Sequence, residues 1–479
     1  MITQIEIDGF KTFKDFKVEL APFQVIVGPN GSGKSNLFDA LHLLSRLMED
    51  DIASAFQELR GRDYEQFTAL PDGKYADKIR IAVEMLVDRK VKDELGREVD
   101  LKYTRIRYEL EISTGTDDLG LERFYVTHES LKGIRQDTDS WHKKYILSSQ
   151  NNWLPEPISG QAIFIDTKLT PVPILESIED KSRTVVDHLM IYLYPDDNQE
   201  GRITRFYAAE VERTVLSRGV DIEYPHAFAA QQELRSLRFL HLNPEALRQP
   251  SSTKSSRFLS TDGSNLPTVL IRMQSQDKFA LVDVSRDMAN LVPGIITIRI
   301  QQDKASDKYV IYAETSDRRS FSSQVLSDGT LRLLALATLR NDPQFRGVLC
   351  LEEPENGVHP FRLKNMTRLL REMATDFNDP EQVDEPLRQV LVTTHSPTFI
   401  SQPGMLDSLL FAYTVTQIVP GQPTVDVTRM VPIVAQKTVS YPLAGTDIGK
   451  AEMSYTLDEV RKYLDSEVIH DALAHLDER

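Results

Sequence analysis

Gly28-Pro29-Asn30-Gly31-Ser32-Gly33-Lys34-Ser35 is a complete G-x-x-x-x-G-K-[ST] phosphate loop. Its glycines let successive backbone N–H groups curl around phosphate oxygens with no Cβ in the way. Lys34 offers a cation to the β- and γ-phosphates, and the Ser35 hydroxyl offers an oxygen to Mg²⁺. The flanks agree with this reading. Phe23-Gln24-Val25-Ile26-Val27 reads as a buried strand, and Asn36 to Met48 as a helix with Leu37, Leu41, Leu44 and Met48 on one face. Such a strand–loop–helix unit aims the positive end of its helix at the anion. An α/β chain of the P-loop type is therefore expected, with Gly28 through Asn36 as the nucleotide-binding segment and ATP with Mg²⁺ as the ligands.

Val348-Leu349-Cys350-Leu351-Glu352-Glu353 is an apolar run ending in two carboxylates, and Glu352 lies 318 positions beyond Lys34. Adjacent acids at a strand end divide labour: one holds Mg²⁺ directly or through water, and the other polarises the water that attacks the γ-phosphate. By position Glu352 is the metal-side residue, together with Ser35, and Glu353 the general base. The apolar run before them argues against a plain surface turn. Leu326-Ser327-Asp328-Gly329-Thr330 leads into a helical stretch, Leu331 to Leu339. Ser327 caps it, and the free N–H groups beside Asp328 and Gly329 suit an anion, with simple capping as the competing reading. Val390 to Thr394 is a third strand end. His395 follows it, placed either to contact a γ-phosphate and orient water or to be structural. His359 has no ligand partners in sequence reach and receives no catalytic role.

A chain of 479 residues allows two to three domains, and 41% hydrophobic with 27% charged residues is a globular composition. No stretch approaches a membrane span, and Met1-Ile2-Thr3-Gln4-Ile5-Glu6 lacks the basic-then-apolar layout of a signal peptide. A cytoplasmic protein without a membrane partner is expected. The single cysteine, Cys350, excludes an intrachain disulfide and a cysteine zinc cluster, and reads as a small buried apolar side chain. The net charge of −16 argues against a wholly basic nucleic-acid coat but leaves a local basic groove, and so DNA, open. The clearest basic stretch, Arg248 to Arg257, is rich in Ser; it reads as a solvated loop, with a phosphate-contacting loop as the alternative.

Along the chain, Ile79 to Val87, Tyr103 to Ile112 and Leu121 to Ser130 read as antiparallel strands, with Arg89 to Asp100 as a charged hairpin tip. In the second strand Ile106, Tyr108, Leu110 and Ile112 alternate with Arg105, Arg107, Glu109 and Glu111. These belong with the phosphate loop in an N-terminal part, residues 1–140. Residues 141–294 read as an inserted lobe, mixed and then helical, with Val185 to Tyr194 and Leu266 to Met273 as helices. Ile295 to Ile300 and Tyr309 to Ala313 resume β character and open a C-terminal ATPase part, residues 295–440. Asp379 to Pro386 is an acidic surface loop. A tail, residues 441–479, contains the capping box Thr456-Leu457-Asp458-Glu459 and buries Leu457, Val460, Leu464, Ile469, Leu473 and Leu476.

GPNGSGKSN, LSDGT, LEEPENGVHP and TTHSP stand in that order, which resembles the ABC-type ATPase superfamily. Within it the chain is similar to the RecF/SMC/OLD-like branch of AAA-type ATPases. The opening IDGFKTF and the GKSN ending resemble SMC and RecF heads. LEEPENGVHP and THSP, with FLHLNPEALRQPS (Phe239 to Ser251) and TDGSNLPTVL (Thr261 to Leu270), resemble OLD-type and related stand-alone bacterial ATPases. The likeness runs from about Met1 to Ile400.

The resemblance implies an ABC-type P-loop fold with an antiparallel β subdomain and a largely helical inserted lobe. It implies a head-to-head homodimer, or a higher even oligomer, with each ATP between Gly28–Ser35 of one copy and Ser327–Gly329 of the other. Glu353 is then the base, Glu352 the magnesium-side carboxylate and His395 the γ-phosphate switch residue. It further implies an ATPase that closes on ATP to drive or gate an effector, a nuclease or toxin, in DNA repair or antiphage defence. The alternative is a nucleotide-sensing scaffold that holds such an effector with hydrolysis incidental. This sequence departs from the family pattern in having Glu352 where Asp is usual and Ser-Asp-Gly-Thr where Ser-Gly-Gly-Gln is usual. Gln57, Gln66 and Gln161 are undistinguished candidates for the Q-loop glutamine. No long heptad arm is present. About 80 residues follow Pro397 with no D-x-D cluster, so no Toprim nuclease centre is expected.

Overall fold

The computed structural model describes residues 1–116, 120–146, 153, 162–175, 183–196, 203–208, 211–218, 220–256, 258–304, 306–417, 423–435 and 455–465. At its centre lies a mostly parallel sheet in the order Arg238–Leu240, Gly347–Glu352, Arg388–Thr394, Phe23–Val27, Leu409–Gln417, Val425–Val434, Tyr455–Thr456. The first five strands are parallel, and Val425–Val434 runs antiparallel to its neighbour Leu409–Gln417. Phe23–Val27 is buried along its whole length, as a strand covered on both faces must be; its one polar residue, Gln24, accepts the Ala21 N–H and donates to the Ser408 carbonyl.

Each face of that sheet has its own core. On one side Ile26, Cys350 and Leu391 join Leu37, Leu41 and Leu44 of the helix Lys34–Arg46. The apolar face of a second, antiparallel sheet (Ile5, Ile81, Ile106, Leu110) completes this cluster. On the other side Val25, Val27, Leu351 and Val392 pack with Leu270, Met288, Leu334 and Leu370. Those four come from the helices Leu266–Gln276, Ala280–Leu291, Asp328–Arg340 and Pro360–Glu372. Alternate residues of one strand thus feed opposite cores. Burial raises the Cys350 thiol well above its usual range, in keeping with an inert core side chain.

The antiparallel sheet has the order Thr204–Tyr207, Arg183–Leu193, Ile163–Leu175, Glu122–Gly133, Arg105–Thr116, Lys78–Leu86, Ile2–Asp8, Phe16–Glu19. It corrects one expectation. Val185 to Tyr194 is not a helix; Arg183–Leu193 pairs antiparallel with Ile163–Leu175 from Arg183 opposite Leu175 to Leu193 opposite Ile165. Its β-branched and aromatic content (Thr184, Val185, Val186, Ile191, Tyr192) favours a strand, and a partner strand decides an apolar run that periodicity leaves ambiguous. The other expected helix, Leu266 to Met273, is present as Leu266–Gln276, among helices that run from Pro225 to Leu291, with the short helix Ser140–Tyr145 at the start of the expected lobe. A small sheet joins Ser251–Ser252, within the stretch expected as a solvated loop, to Lys308–Thr315, which also pairs with Ile295–Asp303 and Ser320–Ser322.

The hairpin Lys90–Lys92 with Glu98–Asp100 and the exposed 3₁₀ turn Pro380–Asp384 match the expected tip and surface loop. Arg105 falls on the polar face of its strand yet is buried, paired with Asp139 at 2.6 Å and Glu84 at 3.2 Å. Thr456 and Glu459 exchange capping bonds of 2.8 and 3.3 Å, with Val460 and Leu464 buried beyond them. Ile469, Leu473 and Leu476 lie outside the described residues.

Gln389 joins the two large sheets. Its side chain is 0% exposed; Oε1 accepts the Ile2 N–H at 2.8 Å, and Nε2 donates to the carbonyls of Ile2 at 2.7 Å and Ala21 at 2.9 Å. Leucine would match its size and leave three main-chain groups buried without partners, each costing about 1–3 kcal/mol. Gln389→Leu is expected to destabilise the fold by about 3 kcal/mol or more, read as a clear drop in thermal melting midpoint. A midpoint equal to the parent's would mean the sheets are not held this way.

Candidate nucleotide site

Because five strands run parallel, their carboxyl ends open on one edge of the sheet. Val27 lies opposite Thr394, Glu352 opposite Thr393, and Leu240 opposite Leu351. The segments beginning at Gly28, Glu353, His395 and His241 therefore leave the sheet side by side.

In the phosphate loop Gly31 and Gly33 have φ of 76° and 89°, a region that disfavours any side chain. A Cβ on Gly33 would also sit 2.0 Å from Thr428 Oγ1. That contact belongs to a relay. Asn36 Nδ2 donates to Thr12 Oγ1 at 2.9 Å, the Thr12 and Thr428 hydroxyls are 2.7 Å apart, and Thr428 Oγ1 donates to the Ser32 carbonyl at 3.2 Å. The Lys34 ammonium donates to the carbonyls of Gly28 at 2.7 Å and Pro29 at 2.6 Å, which keeps the loop curled.

Across from the loop, the chain turns sharply at Glu353, whose φ is +45°. Its N–H donates to the Thr393 carbonyl at 2.9 Å. Asn356 Nδ2 donates to Glu353 Oε2 at 2.7 Å, and His395 Nδ1 lies 2.7 Å from Oε1. Burial pushes the Glu353 carboxyl up, but these two hydrogen bonds and the charges of His395 and Lys34 outweigh it and hold the group below its ordinary range. Glu353 is thus a fixed carboxylate at neutral pH. Behind it Glu355, 7% exposed, accepts the Thr394 hydroxyl, while burial first and the Glu353 charge second raise its own carboxyl. Ser396 N–H donates to Thr394 Oγ1 at 2.9 Å, so the backbone on both sides of His395 is tied down.

Loop and carboxylates enclose a cavity of about 340 Å³. Asn30, Gly31, Ser32, Gly33, Lys34, Ser35 and Asn36 form one wall, and Glu352, Glu353 and Asn356 another. Leu240 to Leu242, Thr393 and Arg332 close the remainder. Gly28 and Pro29 lie behind the wall as acceptors for Lys34, and His395 reaches the site through Glu353. Ser327, Asp328 and Gly329 are not among the lining residues. Ser327 caps the helix Asp328–Arg340, its Oγ accepting the Thr330 N–H at 3.4 Å. Asp328 is ion-paired with Arg248, and a Cβ on Gly329 would meet the Gly357 carbonyl at 2.4 Å. The motif therefore packs on the outer side of the turn that carries Asn356. Arg248 is held against it, whereas Lys254 of the same basic stretch is exposed.

Neither described glutamine candidate reaches the cavity. Gln57 is exposed at the end of Ile52–Gln57, and Gln66 is buried, donating to the carbonyls of Arg60 at 2.9 Å and Arg62 at 3.2 Å. Gln161 lies outside the described residues. The edge strand brings His241 to that side of the cavity instead. His359 caps Pro360–Glu372 through its ring, accepting the Phe361 N–H at 3.4 Å. Sequence reasoning missed Thr428, Asn356 and Arg332. Nothing local marks Thr428, which is 396 positions from Ser32. Asn356 and Arg332 carried a usable signal, each lying three or four residues beyond a residue already singled out.

Residues 1–212 match the family described as "AAA ATPase domain", and residues 178–401 the family described as "AAA domain, putative AbiEii toxin, Type IV TA system". The chain is similar to the chromosome partition protein Smc of Bordetella petrii, 37% identical over 89 residues, which is 18% of this chain and 7% of that protein. It is similar to the Smc protein of Methanococcus voltae at 25% identity over 153 residues, 31% of this chain and 11% of that protein. The matched stretches are thus small parts of both relatives. Among solved structures, an Smc head bound to the C-winged helix domain of ScpA overlays with a TM-score of 0.44 at 13% identity, covering 90% of this chain and 96% of that one. The Smc head with a coiled coil and joint from Pyrococcus yayanosii gives 0.41 at 11%, covering 97% and 99%. The head from Thermotoga maritima gives 0.35 at 14%, covering 90% and 99%.

The Thr428 relay has a measurable consequence. Thr428→Val keeps the side-chain shape and removes the hydroxyl that supports Ser32, a loss of about 1–2 kcal/mol. ATP affinity is expected to fall by about 5- to 20-fold, with the circular dichroism spectrum unchanged. Unaltered affinity in a calorimetric titration would dismiss the relay as a determinant of loop shape.

Proposed function

We propose that this chain, an ABC/SMC-like AAA ATPase matched from residue 1 to 401 by two AAA families, hydrolyses ATP in the cavity between the phosphate loop and Glu353. The observation that carries this reading is the Glu353 carboxylate, fixed at both oxygens by Asn356 and His395 and lining one cavity with Lys34.

The residues suit the ligands. Gly31 leaves open space where a Cβ would stand, and the ammonium of Lys34, the hydroxyl of Ser35 and the carboxylate of Glu352 share one cavity. Among the described residues no three His, Cys, Asp or Glu side chains form a metal cage of their own. That pattern suits Mg²⁺, which takes one or two protein oxygens plus phosphate and water. Ser35 and Glu352 would hold it, and when bound it supplies neutralisation of phosphate charge. Each Glu353 oxygen keeps a lone pair beyond the bond it accepts, so the carboxylate takes the proton of an attacking water. The new bond forms between water oxygen and the γ-phosphorus. The bond to the β–γ bridging oxygen breaks, and ADP with inorganic phosphate leaves.

Ser327, Asp328 and Gly329 sit off the chain's own cavity, which favours an anion from a second copy and hence an ATP-closed homodimer. Opening and closing would drive or gate an effector, a nuclease or toxin. The toxin-system wording attached to the family matched at residues 178–401 supports that direction. DNA repair or antiphage defence in the cytoplasm, with DNA as a possible further partner, completes the proposal. Asp328 favours a second reading: a carboxylate at the anion-facing turn, offset by Arg248, suits a dimer that holds ATP with little turnover, a scaffold for the effector.

Glu353→Gln is expected to lower kcat by about 100-fold or more while leaving ATP bound. Light scattering of this variant should show the mass doubling with ATP, and Lys34→Ala should abolish both binding and doubling. A mass indifferent to ATP would remove the dimer. A Glu353→Gln protein that still supports full effector activity would select the scaffold over the cycling machine.

A further inference from the structure

Arg332 stands one turn into the helix Asp328–Arg340, four residues beyond Asp328. Arg332 is among the residues that line the cavity, with Lys34, Ser35, Glu352 and Glu353. Of its five N–H donors, one on Nη1 goes to the Asn356 carbonyl at 2.7 Å. Nε is buried with no hydrogen-bond partner among the described residues. No described carboxylate forms an ion pair with it. The acids nearest in charge, Asp328 and Glu355, are engaged elsewhere, by Arg248 and by the Thr394 hydroxyl. A guanidinium stays charged in any protein environment. The cavity edge therefore holds a fixed positive charge with much of its fork uncommitted.

We propose that Arg332 contacts the phosphate chain of the bound nucleotide, supplied by the same chain that supplies the phosphate loop. This rests on the reading of the cavity as an ATP site. A guanidinium fork meets two phosphate oxygens at once, so phosphate would be gripped by Lys34 on one side and Arg332 on the other. The contact also joins the nucleotide to the base. Arg332 holds the Asn356 carbonyl, and the Asn356 side chain holds Glu353. The helix that begins with Ser327, Asp328 and Gly329 would thus touch its own nucleotide at Arg332 and, in a closed dimer, the partner's at its first turn.

Calorimetric titration with ATP in the Glu353→Gln background tests this. Adding Arg332→Ala is expected to weaken ATP binding about 10- to 100-fold, the range of a charge-assisted hydrogen bond. Arg332→Lys should recover part of that loss. Arg332→Gln keeps a donor for Asn356 but not the charge, so it should lose as much affinity as the alanine variant, and it carries the test if alanine impairs folding. Unchanged ATP affinity in the alanine or glutamine variant overturns the proposal. So does a loss confined to turnover in the otherwise unaltered protein, which would mark Arg332 as a strut for Asn356. Lys34→Ala, titrated in parallel, reports on the ATP site itself: if it too binds ATP normally, the underlying reading has failed. Affinity is read per chain, so a protein that never dimerises still decides the role of Arg332.

Discussion

The parallel pairing of Phe23–Val27 with Arg388–Thr394 is the contact on which the site rests. It brings the phosphate loop and His395 to one sheet edge, and the next strand over, Gly347–Glu352, delivers the two carboxylates to the same edge. None of these strands could be moved by one residue. A slip would turn Val25 and Val27 from one core to the other and carry Gln24, with its polar side chain, into the core they leave. The geometry of the catalytic candidates is thus a by-product of packing, specified by the two apolar clusters on either face of the sheet.

Within that frame the cavity is a balance of charges. Lys34 and Arg332 line it with Glu352 and Glu353, while His395 and Asn356 each hold one oxygen of the Glu353 carboxylate. The Asn356 turn is gripped on three sides: by Arg332 through its carbonyl, by Gly329 against Gly357, and by Thr394 through Glu355. Glu353 itself adopts a left-handed backbone that non-glycine residues seldom accept. Neighbours that over-determine a turn are what sustain such a conformation at a working site.

Much of this was legible because it is local. The phosphate loop announces itself through glycines at fixed spacing, and the flanking strand and helix through periodicities carried by Leu37, Leu41 and Leu44. Glu352 and Glu353 stand out because a buried apolar run ends on them. What could not be read depends on partners distant in sequence. Arg183–Leu193 becomes a strand because Ile163–Leu175 lies beside it, and no periodicity within the segment says so. Thr428 is an ordinary strand threonine until the fold sets it against Gly33. His241 reaches the cavity only because Arg238–Leu240 adds to the sheet beside the carboxylate strand.

Thr428 also fixes an order of events. The loop is supported by Thr12 before it in sequence and by Thr428 far after it. The strand leading into the loop has both neighbours, Arg388–Thr394 and Leu409–Gln417, near the other end of the described chain. At about 5–20 residues per second of synthesis, the phosphate loop waits roughly 20 to 80 seconds on the ribosome for the residues that shape it. Through that interval ATP has no finished site to occupy and cannot act as a folding ligand. The helix Lys34–Arg46 meanwhile has its leucine face uncovered, since the strand Arg388–Thr394 that helps to bury it is made later.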